Sequence, residues 1–498
     1  MKTKTIAIVG AGLAGLAAGV YARRNGFDVH LFEHHSLPGG VCTSWKRKGF
    51  VIDGCLHWLM GARPGSFLHE IYRQTGALDG VHLQPLHHFG RFAWLDEKGQ
   101  ILRSVDLTSD LSKMVAGWRK LSPADKPAID ILEGGIRDFQ GFDGNWDAME
   151  EGSSLGSRIK MAWYCRKQLP YFRKWRMSVQ QFAERIRDPF LRWQITNSFV
   201  PEMPLFFLFM VLGELTSGRL ARIEESSLDF AEGVARRLQS LGGRISYRAE
   251  VDRILVEKDA AVGVRCTDGT EHRADLVISA ADGHSTLFKL LGGRYVDAET
   301  RKRYASWPLF APLLMISFGV GRDFSAEPSS SLFRLARILD TGECPQENLF
   351  CKIFNGNPGF APPGKAVVQV LLEARYEYWD RLAADRPAYD REKQRIAGEA
   401  LDFLEQRFPG IRNQVEMTDV ATPITYVRYT RNYRGAWEGW LMTPEAFFER
   451  IPSRLKGLDR FYMAGQWVQP GGGIPAVLMS GRSAIRQICR AEGIKFQS

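Results

Sequence analysis

A chain of 498 residues is too long for one ordinary hydrophobic core, so two or more domains are expected. Its 45% hydrophobic and 24% charged content excludes a disordered chain, while a formal net charge of +10 keeps anionic surfaces open as partners. Seven scattered cysteines with no C-x-x-C favour reduced thiols in a cytoplasm over a disulfide framework or a zinc site. No signal peptide fits a chain that enters its first strand almost at once, and no apolar run reaches spanning length.

Ile6, Ala7, Ile8 and Val9 have the pattern of a strand buried on both faces of a parallel sheet. Gly10, Gly12 and Gly15 follow as G-x-G-x-x-G, and Leu13 and Ala14 open an Ala/Leu-rich helix that Gly26 is placed to stop. Residues 28–32 make a second strand, ending at Glu33 and His34. Gly10 allows the tight turn, Gly12 lets backbone approach a pyrophosphate, and Gly15 lets helix and strand pack closely. The helix N-terminus offers N–H groups and a positive dipole to phosphates. Glu33 stands about 20 residues on, where a carboxylate takes hydrogen bonds from a ribose. Strand, glycines, helix, strand and terminal acid in one unit predict a bound dinucleotide.

The Pro38-Gly39-Gly40 turn keeps side chains away from whatever lies over the phosphates, and Val41 follows it. Gly49-Phe50-Val51-Ile52-Asp53-Gly54 reads as strand and turn, leading to His57-Trp58. Together these segments resemble the flavoprotein family of carotenoid desaturases, carotenoid isomerases and retinol saturases, with the amine oxidases as more distant relatives. The resemblance implies an α/β fold: a Rossmann-type FAD-binding domain of the amine oxidase/phytoene desaturase kind with an inserted α+β substrate domain. His57 with its aromatic neighbour is most similar to the saturase branch, where it would face cofactor or substrate. A hydrogen-bonded core histidine is the other reading.

Residues 65–219 lose strand character and read as helical and aromatic. Residues 158–192 hold ten Lys/Arg, interleaved with Trp, Tyr and Phe, against only Glu184 and Asp188. That mixture suits a headgroup layer, so peripheral contact with an anionic membrane is expected. Single-stranded nucleic acid would want a similar mix, but a flavin fold gives no reason for it, and no nucleic acid is expected. A solvated basic helix over the core accounts for the same residues. Residues 201–215 are too short to span a bilayer, and either line an apolar substrate tunnel or pack in the core.

Residues 227–241 form an amphipathic helix with Ser227 as its cap. Strands follow at 244–247, 251–256, 262–266 and 275–282. By resemblance this block rejoins the dinucleotide domain, with the Val251 backbone at the adenine and Ala280 near the cofactor. Residues 291–454 make a second insertion, with strands at 313–320 and 366–373 and a helix at 389–407. It closes on T-P-x-T-x-x-R-Y-T from Thr422 to Thr430, a second match to the family, and on Gly435-Ala436-Trp437-Glu438-Gly439. Residues 461–477 then run from a strand through a glycine-rich turn into a helix. This is similar to the family's C-terminal flavin motif, with Gly465, Gln466, Gly472, Gly473, Ile474 and Val477 as cofactor contacts. Gln466 stands where many flavoproteins of this fold carry Asp, so any ribityl contact there is neutral. The expected division is a discontinuous FAD domain (1–64, 220–290 and 455–498), a helical region (65–219) and an α+β substrate domain (291–454).

A nicotinamide enzyme needs no distant second glycine motif, whereas a flavin threaded between chain ends does, so FAD is the expected cofactor. No second strand–G-x-G-x-x-G–helix unit is present, which disfavours a disulfide-reductase type. The family implies a long, oily polyene or isoprenoid-like substrate, and desaturation, saturation and cis–trans isomerisation all fit. His57, Arg428 and Glu438 are the acid–base candidates; no metal-ligand spacing appears. Two alternatives remain: an amine-oxidase-like enzyme with Tyr429, Tyr433 and Trp437 as an aromatic cage, and a non-catalytic escort of a lipidated partner.

Overall fold

Five short strands from three distant parts of the chain form one parallel sheet, in the order Phe461–Met463, Leu276–Ser279, Thr5–Val9, Asp28–Phe32, Arg244–Ser246. The computed structural model describes residues 3–55, 57–143, 165–355, 357–449 and 451–498, together with 159 and 163. Ile6, Ala7 and Ile8 are buried, as a central strand covered on both faces requires. On one face lie the helices Leu13–Arg24 and Gly473–Ala491. They touch backbone to backbone: a Cβ on Gly481 would fall 2.3 Å from the Ala14 carbonyl oxygen. The other face packs against a small antiparallel sheet, Val251–Glu257, Ala260–Cys266 and Glu271–Arg273.

A seven-stranded sheet forms the second half, in the order Val415–Ala421, Leu313–Val320, Ala366–Glu373, Pro345–Asn355, Ser330–Asp340, His88–Leu95, Ile101–Thr108. All its pairs are antiparallel except Ser330–Asp340 with His88–Leu95. This corrects the expectation that residues 65–219 carry no strands: two of the seven come from there, and Leu83–Pro85 pairs with Ala221–Ile223 besides. Alternation along Ile101–Thr108, where Val105 and Leu107 are buried between more exposed neighbours, decides the strand over the helix that an aromatic-rich composition suggested. The helix Arg386–Arg407 covers this sheet, with Ile396, Ala400 and Leu404 buried in its core.

The helix Ser227–Ser240 starts at the residue expected to cap it, so its cap stands one residue earlier. Ser226 caps it in a reciprocal box with Asp229. Ser227 instead donates its N–H and hydroxyl to Asp53 at 2.7 and 2.6 Å. The acid of the F-x-x-D-G segment therefore sits on a positive helix terminus. Gly26 takes positive φ just beyond its helix, as the sequence suggested, and Gly242 does the same after Ser227–Ser240.

The helix Leu205–Thr216 buries Leu205, Phe206, Leu208, Phe209, Val211, Leu212 and Leu215, so most of its surface is core. Among the described residues, no helix is long and apolar enough to cross a membrane. In the basic stretch, Trp175, Phe182 and Phe190 point into the core, while Arg176, Arg185, Arg187 and Arg192 are exposed. Trp163 is 68% exposed, with the Arg166 guanidinium 4.6 Å from its ring. Arg158, Lys160 and Tyr164 lie outside the described residues.

Candidate cofactor cleft and active site

The first glycine loop behaves as its spacing requires. Gly10 has φ +96° and donates its N–H to the Phe32 carbonyl at 2.8 Å, tying the loop to the second strand. A Cβ on Gly15 would lie 2.0 Å from the Gly10 carbonyl oxygen, so only glycine closes that turn. A Cβ on Gly12 would meet no atom within 4 Å, so that face is open. No side chain caps the helix that Leu13 and Ala14 begin, and its first-turn N–H groups lack intrahelical partners. Ala280 closes the floor: its N–H bonds to Val9 O at 2.9 Å, and its carbonyl would lie 3.2 Å from a Cβ on Gly10.

The Pro-Gly-Gly turn docks on this loop. Gly39 donates to the Ala11 carbonyl at 2.8 Å, and a Cβ on Gly40 would be 3.5 Å from Gly12 Cα. Val41 follows directly. Glu33 is buried, taking the Ala11 N–H at 2.7 Å on one oxygen and the His35 N–H at 2.8 Å on the other. A carboxylate has about four acceptor positions, so capacity remains for ribose hydroxyls. The Ala249 N–H bonds to Glu33 O at 2.8 Å, which brings the strand beginning at Val251 up to this end of the cleft. His34 does not point at the cleft freely: its Nε2 is 2.9 Å from the Tyr429 carbonyl, linking this strand end to the helix Pro423–Thr430.

The far end of the chain completes the cleft. Ala464 donates to Ser279 O at 2.9 Å, Gly465 donates to Ser480 Oγ at 2.7 Å, and a Cβ on Gly465 would be 3.6 Å from Ala14 Cβ. Gly471, Gly472 and Gly473 carry φ of +93°, +52° and +76° and lead into a second helix without a side-chain cap. Ile474 is buried behind that terminus, and the Val477 carbonyl accepts the Ser480 hydroxyl. Gln466 lies against Gly439, whose Cβ would be 3.1 Å from Gln466 Cγ. Two uncapped helix N-termini, an open face at Gly12 and a fixed carboxylate at Glu33 form one cradle suited to FAD. Gly12, Leu13 and Ala14 would hold its pyrophosphate, Glu33 its ribose, and the 465–477 turn its flavin end.

Of the acid–base candidates, His57 lies away from these turns. It lines a cavity of about 210 Å³ with Asp53, Trp58, Phe89, Arg222 and Lys352, and none of the glycine turns borders that space. Its ring meets Phe350 edge-on at 5.6 Å, and its Nδ1 is buried with no hydrogen-bond partner among the described residues. Burial, with Lys352 beside it, pushes its pKa down to about 3, so the imidazole is neutral at any ordinary pH. Glu438 lies against Gly472 and Gly473, at the flavin end. Arg428 is exposed, and its charge bears on Lys393 rather than on His57 or Glu438.

A continuous run of packed aromatic rings joins the two places. Phe89 and Trp58, which line the His57 cavity, continue through Trp58–Phe199 at 6.3 Å to Phe199–Phe207 at 4.9 Å. Phe199 and Phe207 pack on Met203, Phe310, Leu441 and Met442, beside Trp437. The proposed amine cage does not assemble: Tyr429 faces His35, Tyr433 stacks on His284 at 4.2 Å, and Trp437 meets Phe310.

Two groupings escaped the sequence. Lys352 is buried in the cavity wall, and burial lowers its pKa to about 8 although Asp53 draws it upward. A lone cation inside the apolar run Leu349-Phe350-Cys351-Lys352-Ile353-Phe354 was the available signal. Cys42 and Cys55 are neighbours: Ser44 pairs with Asp53, Gly54 donates to Thr43 O at 2.9 Å, and the two thiols meet in the next row. Contact with Cys55, then burial, raises the Cys42 pKa.

Known proteins share this architecture. "Prolycopene isomerase, chloroplastic" of Daucus carota is 24% identical over 518 residues, taking in 99% of this chain and 81% of that protein. "Phytoene desaturase (lycopene-forming)" of Pseudescherichia vulneris is 25% identical, with 96% and 98% covered. Among solved structures, an oxidoreductase from Methanosarcina mazei superposes with TM-score 0.60 at 18% identity, over 97% of this chain and 100% of that one. A CLA-producing fatty acid isomerase from P. acnes gives TM-score 0.57 at 15% identity, with 98% and 99% covered. The model of the flavin containing amine oxidoreductases matches residues 13–489, and with the cradle described above the chain belongs to that family, as an FAD-dependent oxidoreductase.

Proposed function

We propose that the enzyme acts on carbon–carbon double bonds of a long, apolar, polyene-like substrate. The observation that carries this is the packed aromatic run of Phe89, Trp58, Phe199 and Phe207, an apolar surface reaching from the His57 cavity to the cluster beside Trp437 and the flavin turns. Aromatic walls without a converging cage suit a chain of conjugated carbons better than an amine nitrogen. The named activities of the relatives, prolycopene isomerisation and phytoene desaturation, support the same class. Flavin bound in the cradle supplies hydride chemistry. The chain's own part is to hold the polyene in line with the cleft, keep water out and provide a proton-handling group. His57, fixed in its neutral form, can orient a polar end of the substrate but does not carry charge.

The test is to purify the protein, confirm release of FAD on denaturation, and identify the hydrophobic compound extracted with it. Oxidised and chemically reduced holoprotein are then given a polyene panel under anaerobic conditions, and products are read for double-bond number and geometry. A change in either supports the reading. Turnover confined to primary amines, with hydrogen peroxide released, overturns it. We also propose that exposed Trp163, Arg166, Lys167 and Arg176 let the enzyme collect such substrates from an anionic bilayer. Co-sedimentation with anionic liposomes that weakens with salt is the expected result; absence of binding at low salt removes this role.

A further inference from the structure

Glu438 occupies an unusual position for a carboxyl group. Its main chain and side chain lie against the C-terminal flavin turn: a Cβ on Gly472 would fall 2.6 Å from Glu438 Cβ, and one on Gly473 3.9 Å from Glu438 Oε1. The preceding residue, Trp437, belongs to the apolar cluster of Met203, Phe310, Leu441 and Met442. Glu438 thus stands where the cofactor cradle meets that apolar cluster. Among the described residues its carboxyl makes no hydrogen bond and no ion pair. Gly472 and Gly473, which lie against it, bring no side chain, and no charged side chain acts on its carboxyl. Half-buried in the wall of the cleft, with neither cation nor donor to hold its charge, the acid is pushed toward its protonated form.

We propose that Glu438 is a catalytic acid that delivers a proton to one carbon of the substrate double bond, so that the reaction runs as saturation. This rests on the polyene reading and selects among the outcomes it leaves open. The balance is simple. A hydride from reduced flavin forms a C–H bond at one carbon, and the π pair takes the Glu438 proton at the other. The alkene gains two hydrogens, the flavin loses two electrons, and Glu438 is left as a carboxylate that recovers its proton from water. Desaturation would need the same group as a base, hence ionised at rest. Burial instead places its pKa at about 8, above neutrality. A neutral acid of that strength suits proton donation near pH 7.

The experiment uses FAD-loaded protein reduced with dithionite, with wild type beside Glu438→Gln and Glu438→Asp. Independently of turnover, infrared difference spectra of resting holoprotein are expected to show a protonated carboxyl at pH 7 that is missing in Glu438→Gln. In heavy water, where the flavin N–H exchanges with solvent as well, wild type is expected to place a deuterium on both carbons of each reduced bond, with a rate that falls above about pH 8. Glu438→Gln is expected to keep FAD and lose on the order of 100-fold in rate, with partial recovery in Glu438→Asp. Should Glu438→Gln fail to load FAD, Glu438→Asp decides by retaining or losing the pH dependence. Desaturation alone, an unchanged rate and pH profile in Glu438→Gln, or no carboxyl band assignable to Glu438 would each overturn the proposal. Wild type that turns over no polyene defeats the substrate reading together with saturation, while the infrared band still reports the acid's state.

Discussion

The cofactor cleft and the His57 cavity are built from opposite materials. The cleft is lined by backbone: Gly10, Gly12, Gly39, Gly40 and Gly471 to Gly473, with one acid, Glu33, held by two N–H groups. The cavity is lined by side chains carrying charge, among them Asp53, Arg222, Glu224, Glu225 and Lys352, drawn from separate strands and loops. In the cleft, specificity comes from where a Cβ cannot be. In the cavity it comes from what side chains present. The cleft should therefore be brittle toward single methyl groups and the cavity tolerant of larger changes.

The largest expected effect tests the brittle side. Gly15→Ala would force a methyl to 2.0 Å from the Gly10 oxygen, and a backbone clash of that kind costs on the order of 3 kcal/mol. Thermal unfolding should show a clearly weakened protein with no retained FAD. Gly12→Ala sharpens the contrast, since nothing lies within 4 Å of the new methyl. Apoprotein melting should be unchanged, while flavin-fluorescence titration shows FAD binding weakened by roughly 100-fold, about 3 kcal/mol. Normal FAD affinity in this variant would place the pyrophosphate elsewhere. Glu33→Gln is expected to cost about 1.5 kcal/mol of FAD affinity, because a charged acceptor is lost while the main-chain donors it served remain.

The smallest effect lies on the tolerant side. His57→Asn should leave FAD content intact and change substrate KM by a few-fold. Because the His57 pKa falls from 6.5 to about 3 on folding, the unfolded chain takes up that proton more readily. Its contribution therefore destabilises the fold as pH drops from about 6.5 toward 3 and is absent above that window. The variant should show less acid sensitivity in denaturant titrations across those values. Equal sensitivity in both proteins would mean that His57 is solvated.

The same contrast explains what could be read from the chain alone. Gly10, Gly12, Gly15 and Glu33 act through local geometry, where spacing fixes the structure, and each stands where its pattern implied. His88–Leu95 is completed by Ser330–Asp340, some 240 positions away, whereas Ile101–Thr108 pairs with it in a local hairpin whose alternation was masked by the aromatic-rich composition. Asp53 was visible as part of a motif, but its job of anchoring Ser227 depends on a helix remote in sequence. The Lys352 cavity wall and the packed aromatic run are products of long-range assembly, and their residues look ordinary in a linear reading.

The close approach of Gly481 to Ala14 has a consequence for synthesis. The first helix is made early, yet the surface that covers it belongs to a helix that leaves the ribosome some 460 residues later. At typical elongation rates of about 5–20 residues per second, its apolar face waits tens of seconds for a partner. During that interval chaperones have a natural client, and a ribosome stalled before residue 473 would release a nascent chain whose nucleotide fold cannot close.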